Sequence, residues 1–181
     1  MAISESVYSI DLSDEVLPLE LGPSAYYDHI RKINDVFYDQ IKMSDQKAAY
    51  IFTFMFAFLI SSAEGRNVFT WQRYFGDDLL AMVLSALLAI ASIFSIISAI
   101  LVVLPRKSAT STTLFWGGWL SHRETFRKAA AAGHPAYLFQ QYIENADALA
   151  SIACSKYRFV NLAFRGLIVT VLAYVAILAT G

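Results

Sequence analysis

Charge is scarce in this 181-residue chain: Asp, Glu, Lys and Arg make up 16% of it, against about 25% in an ordinary soluble domain. Apolar residues make up 57%, and the mean hydropathy is +0.49. An apolar excess of that size has to face something other than water. Cysteine is nearly absent. The single Cys154 excludes an internal disulfide and a CxxC redox pair, and it fits a reducing compartment or a membrane setting. Catalytic signatures are missing as well. His29, His122 and His134 are scattered without metal-ligand spacing, and neither GxSxG nor a glycine-rich phosphate loop occurs. The expectation is a chain with no catalytic residues, no metal and no cofactor, that is, not an enzyme. The net charge of −1 gives no drive towards a nucleic acid polymer. The start, MAISESVYSIDLSDEV, lacks the basic and apolar regions of a secretory signal, so the spans themselves must carry targeting.

What is present is a set of long apolar runs. Residues 1–22 carry five carboxylates and no Lys or Arg, and they read as an acidic arm, disordered or serving as a docking segment. Pro23 suits the first turn of a helix. Beyond it Tyr27, Ile30, Ile33 or Asn34, Phe37 and Ile41 recur at helical spacing. This amphipathic stretch runs without a breaker into residues 48–63, which carry no charge, and Glu64-Gly65-Arg66-Asn67 is expected to stop it. A short loop over 67–78 holds Trp71, Tyr74 and Phe75, residue types suited to a membrane interface. Residues 79–104 contain no charge, which is the strongest spanning signal in the chain. Residues 105–135 form a loop with Trp116 and Trp119 in an interfacial-looking segment and a basic, alanine-rich stretch after it. From Pro135 a second long helix is expected, with an apolar stripe through Leu138, Tyr142, Ala146, Leu149, Ile152 or Ala153, and Tyr157. It enters residues 159–180, apolar apart from Asn161 and Arg165. The predicted fold is an all-α integral membrane protein forming one domain over 23–181. Three helices span the bilayer, the first and third extended into the cytosol as stalks.

Lys and Arg set the orientation. Arg31, Lys32, Lys42 and Lys47 precede the first span, and only Arg66 and Arg73 separate the first two. Seven basic residues lie between the second and third spans, and none follows Arg165. The N-terminus is therefore expected in the cytosol and the C-terminus outside. The first and third spans then run parallel. Pro23 to Asp45 and Pro135 to Lys156 are stalks of nearly equal length, each roughly 32 Å at about 1.5 Å per residue.

That geometry singles out Asp45. It stands three residues before the charge-free run, as Lys156 stands three before Phe159, so the two share a depth at the cytosolic lip. An ion pair of Asp45 with Lys156, or with Lys47, would latch two helices together; the plainer reading is a set of topology anchors. Lys47 lies only two residues from Asp45, where helix geometry points side chains apart. Arg165 lies inside the third span or stretches to its lip, because the 15 residues after it reach only about 22 Å against a core near 30 Å. Ala81, Ser85, Leu88, Ser92, Ser95 and Ala99 form a small-residue seam at heptad spacing, for packing within the chain or between chains. Arg106, Lys107, Arg123, Arg127 and Lys128 are candidates for phosphate contacts, from anionic lipid or from a nucleotide.

Four short motifs in order resemble the transmembrane effectors of Pycsar, a bacterial antiphage system built around pyrimidine cyclases. They are Asp45-Gln46-Lys47-Ala48 at a span entrance, Pro105-Arg106-Lys107 at a span exit, Phe115-Trp116-Gly117-Gly118, and Ile152-Ala153-Cys154-Ser155-Lys156-Tyr157 entering the last span. The resemblance covers about residues 26–181. It implies an oligomeric effector of the bacterial inner membrane that responds to cyclic CMP or cyclic UMP and impairs membrane integrity. This chain has no room for the separate cyclic-nucleotide domain of larger relatives, so sensing would fall to the stalks and the 105–135 loop. Two other classes stay open: an inert anchor holding a cytosolic partner at the membrane, and a small channel or transporter subunit.

Overall fold

A computed structural model describes residues 23–75, 78–105 and 112–180. The acidic arm over 1–22, and Arg106 and Lys107 among the candidate phosphate contacts, lie outside them. All regular elements among the described residues are helical. Helix α1 (Pro23–Ser61) opens on the expected proline. Its inward line is a strict alternation of threes and fours: Tyr27, Ile30, Asn34, Phe37, Ile41, Ser44, Ala48, Ile51, Met55 and Phe58, every one buried or half-buried. That spacing keeps one face turned to its neighbours along the whole helix.

The expected continuous helix to residue 63 is broken at Ser62. Its backbone is extended, and its Oγ accepts a hydrogen bond from Gly65 N at 3.0 Å, so it caps a new short helix, α2 (Ala63–Asn67). The residues expected to end the helix thus form one of their own. The loop after it holds a 3-10 turn, Trp71–Tyr74. Asp78 caps α3 (Leu79–Val103), its carboxylate accepting from Leu80 N and Ala81 N. The basic stretch forms α4 (Trp119–Ala131). Gly133, at φ +62°, closes it: His134 N donates to Ala129 O and Gly133 N to Ala130 O. Helix α5 (Pro135–Thr180) follows without interruption for 46 residues, about 69 Å at ~1.5 Å per residue.

Two helices, Leu79–Val103 and Pro135–Thr180, are long and apolar enough to cross a membrane. The charge-free part of α1 reaches only from 48 to Ser61, about 21 Å against a hydrocarbon core of ~30 Å. Its early stop, rather than polarity, separates it from the other two.

In the apolar half of the molecule α1, α3 and α5 form a bundle, with α1 and α5 parallel and α3 running against both. One end is filled by Ala48, Ile51, Met55, Ala99, Val102, Val160 and Ala163. The other is filled by Val68, Leu88, Ala173 and Ile177. Ser85, Ser92, Ser95 and Ala99 of the seam are buried inside the chain, with Leu88, so the seam packs this molecule's own helices. The outer faces of α3 and α5 are apolar and exposed, for example Ile90, Ile97, Ile100, Leu172, Val175 and Leu178. In the polar half α3 is absent, and α1 lies against α5, with α4 and the segment after α3 beside them.

Candidate functional site

The contacts that fix α1 against α5 are polar and repeat with one offset. Asn145 Nδ2 donates to Asn34 Oδ1 at 2.6 Å, and Lys156 Nζ forms an ion pair with Asp45 Oδ1. Both pairs are 111 residues apart in sequence. Along each helix the partners are separated by 11 residues, about three turns, so they sit on one face. Two parallel helices in constant register are the direct result.

At the first contact Asn34 is buried and nearly saturated. Its Nδ2 donates to Ile30 O at 2.8 Å and to Tyr142 O at 3.0 Å across the interface. The segment after α3 closes over this site: Thr112 Oγ1 donates to Asn145 Oδ1 at 3.2 Å, and Thr113 N to Gln141 Oε1 at 2.9 Å. Gln141 Nε2 in turn donates to Glu144 Oε2 at 3.1 Å. The network thus ties three separate chain segments together. Beyond it Tyr27 meets Tyr142 edge to face, ring centres 5.4 Å apart. Burial, and then Tyr142, raise the Tyr27 phenol above its ordinary value.

At the second contact the two charges differ in environment. The Lys156 side chain is 7% exposed and that of Asp45 is 37%. The lysine is therefore the group that depends on the pair. Lys47, the other candidate partner of Asp45, is exposed and holds its ammonium 5.4 Å from the centre of the Tyr157 ring, a cation–π contact. Of the two partners considered for Asp45, Lys156 is the one at ion-pair distance.

Arg165 is on the exposed face of α5. Arg123, Arg127 and Lys128 lie on α4, whose Trp119 and Phe126 share a cavity with Tyr27 and Leu138 at the far end of the polar half. Leu138 is 18 residues before Lys156, about 27 Å along α5. Trp116 and Trp119, expected at a lipid interface, stand with this end and away from the apolar one. The reason is Thr112 and Thr113, whose bonds pull the segment after α3 down along the polar half. At the opposite end Arg73 bonds Ser85 Oγ at 3.1 Å and Glu64 at 3.2 Å, tying the loop to α3.

Sequence reasoning missed Asn145, Gln141 and Thr112, and it left Asn34 as an alternative to Ile33. The α5 stripe was drawn through apolar residues, whereas Gln141 and Lys156 lie in the buried line with Ala146, Ala148 and Ala153. Equal spacing was the available signal: Asn34 to Asp45 and Asn145 to Lys156. Gly166 was missed too. A Cβ there would meet Ser95 Cβ at 2.9 Å and its Cα at 3.0 Å, so α3 and α5 touch backbone to backbone at this point. The same crossing carries Ser95 Oγ to Ala163 O at 2.7 Å.

Among known proteins, the family model of the Pycsar effector protein domain matches residues 29–181, which takes in both polar contacts, α1 from residue 29 onwards, α2 to α5 and the close crossing. Neither the curated proteins nor the solved structures gave a match.

Proposed function

Because the chain belongs to the Pycsar effector family and is thus a membrane effector of an antiphage system, we propose that it acts without catalysis, by a nucleotide-triggered change in how its helices sit in the bilayer. The observation that carries this reading is the pairing of an apolar outer surface on α3 and α5 with a polar half held in one register by an amide pair and an ion pair. A bundle tied this way has a natural place to change arrangement: the polar half, which α3 does not reach.

The apolar part of α1, completed by α2, serves as a third span. The N-terminus then lies in the cytosol and the C-terminus outside the inner membrane, as the Lys and Arg distribution requires. A cyclic pyrimidine nucleotide, cyclic CMP or cyclic UMP, acts on the polar half, and several copies together impair membrane integrity. The Asp45–Lys156 pair latches the resting register.

The test is expression with and without cyclic CMP or cyclic UMP, reading growth and membrane potential, alongside leakage of an impermeant dye from vesicles holding the purified protein. Collapse of the potential and leakage only with nucleotide is the expected result. Vesicles that stay sealed with either nucleotide would leave an anchor for a cytosolic partner as the better reading. Reporter fusions at both ends check the orientation, and a cytosolic C-terminus would remove the third span.

A further inference from the structure

Among the described residues, α4 and the segment just before it leave large apolar side chains open. Trp116 is 86% exposed and Leu120 82%, and no residue of α4 is buried. Between α4 and the start of α5 lies an open apolar cavity of about 410 Å³, lined by Phe126, Ala129, Ala130, His134 and Leu138 among others. Nearby, Tyr26, Tyr27, Pro135 and Phe139 line another of about 650 Å³ that reaches Ser24, the second residue of α1. The same end carries a net positive charge: Arg123 and Lys128 are exposed to solvent, and Arg127 pairs with Glu124 of its own helix at 3.2 Å. Lipid does not account for this surface, because it stands about 27 Å along α5 from Lys156, where the apolar half begins.

The chain itself supplies a ligand of complementary chemistry, and its attachment point is at the cavity. Residues 1–22 hold Glu5, Asp11, Asp14, Glu15 and Glu20 with no Lys or Arg, and among them Ile10, Leu12, Val16, Leu17, Leu19 and Leu21. Gly22 joins Pro23, which begins α1 beside Tyr26 and Tyr27. A 22-residue segment reaches as far as ~70 Å when extended, far more than α4 requires. Tethering at that distance sets an effective concentration on the order of millimolar, enough for a weak contact to be occupied. We propose that residues 1–22 dock on α4 of their own chain, apolar side chains filling the two cavities and carboxylates facing Arg123, Arg127 and Lys128. The proposal is independent of any activating nucleotide and of toxicity.

The experiment uses the full chain in nanodiscs with Cys154→Ser, Leu17→Cys and Leu120→Cys, joined by a short bis-maleimide. The expected product has the mass of one chain. Reversing the cap with Arg123→Glu, Arg127→Glu and Lys128→Glu should lower its yield about five-fold, as losing ~1 kcal/mol of exposed charge attraction requires. Reversing the arm as well, with all five carboxylates changed to Lys, should restore the yield. A product of twice the mass would overturn the proposal in favour of a second copy. A yield indifferent to both reversals would overturn it as mere tethered proximity. Quenching of Trp116 and Trp119 by brominated lipid, measured with Trp71→Phe, would assign the surface to the bilayer and overturn it too.

Discussion

The two halves of α5 meet α1 in opposite ways. Below Lys156 the interface is set by side chains that must be satisfied: an amide pair, a carbonyl acceptor and an ion pair, with ordinary aromatic packing around them. Above it the bundle is held by small residues, and α3 joins the other two, so close to α5 that Gly166 lies against the Ser95 backbone. The difference follows from the two solvents. In water a polar contact fixes register, because an unpaired buried amide or charge is costly while a slid apolar stripe is not. In lipid burial of apolar surface gives no drive, so close approach and dispersion have to hold the helices. One continuous helix thus carries a register device and an adhesion device in series.

The largest effect expected on this comparison comes from filling the closest approach. Gly166→Val places atoms where Ser95 Cβ, Cα and N stand at 2.9 to 3.1 Å from an added Cβ. Backbone cannot swing aside, and over-packing of this kind costs about 3 kcal/mol or more. Thermal unfolding in detergent should show the loss as a large fall in Tm. Gly117→Ala is the control, since its added Cβ would meet only the ring of Phe115, a side chain able to turn. Equal falls for both would mean that the crossing is not what holds the apolar half.

Much of this is legible in the sequence. Helix starts at Pro23 and Pro135, the serine seam and the shared depth of Asp45 and Lys156 all follow from spacing and charge. Two things are not. Ser62 reads as one more residue of the charge-free run over 48–63, and only its bond to Gly65 N shows that it starts a new helix. The path of the chain after α3 depends on Thr112 and Thr113 reaching Asn145 and Gln141, contacts more than 25 residues apart that leave no periodic trace. Hence Trp116 and Trp119 were expected at a membrane and stand at the other end.

The next effect sharpens the polar half. Asp45→Asn leaves Lys156, 7% exposed, as a buried charge without its counter-ion, at a cost of roughly 3 kcal/mol. Lys156→Met leaves Asp45, 37% exposed, able to take water, so about 1 kcal/mol is expected once solvent screening is allowed for. Chemical unfolding of the two variants should therefore differ, with the aspartate change the worse. Equal small losses, together with full activity of both, would make the residues topology anchors and nothing more. About three turns away along α1, Asn34→Ala strands Asn145 Nδ2 and removes the donor to Tyr142 O, for about 1–3 kcal/mol. A double-mutant cycle with Asn145→Ala should recover part of that, since the second change removes the orphaned donor. Strict additivity would show that the amides do not act as a pair.

The smallest effect expected is the most pointed test of the contrast. Ser95→Ala removes the hydroxyl that donates to Ala163 O at 2.7 Å, the polar contact of the crossing. If the apolar half were fixed by hydrogen bonds, as the polar half is, this change would rank with Asn34→Ala. Three features argue for far less. The acceptor is a carbonyl inside a continuous helix, so it keeps its place in the helical ladder when the hydroxyl leaves. Alanine keeps the small volume that the approach to Gly166 needs. Hydrogen bonds between helices in membranes average only about 0.6 kcal/mol in double-mutant cycles. Ser95→Ala should therefore lower Tm barely measurably, while Ser95→Leu, which adds bulk at the same atom, should approach the loss seen for Gly166→Val. A Ser95→Ala loss as large as that of Ser95→Leu would reverse the assignment, and the apolar half would then be held by the hydroxyl rather than by the space it leaves.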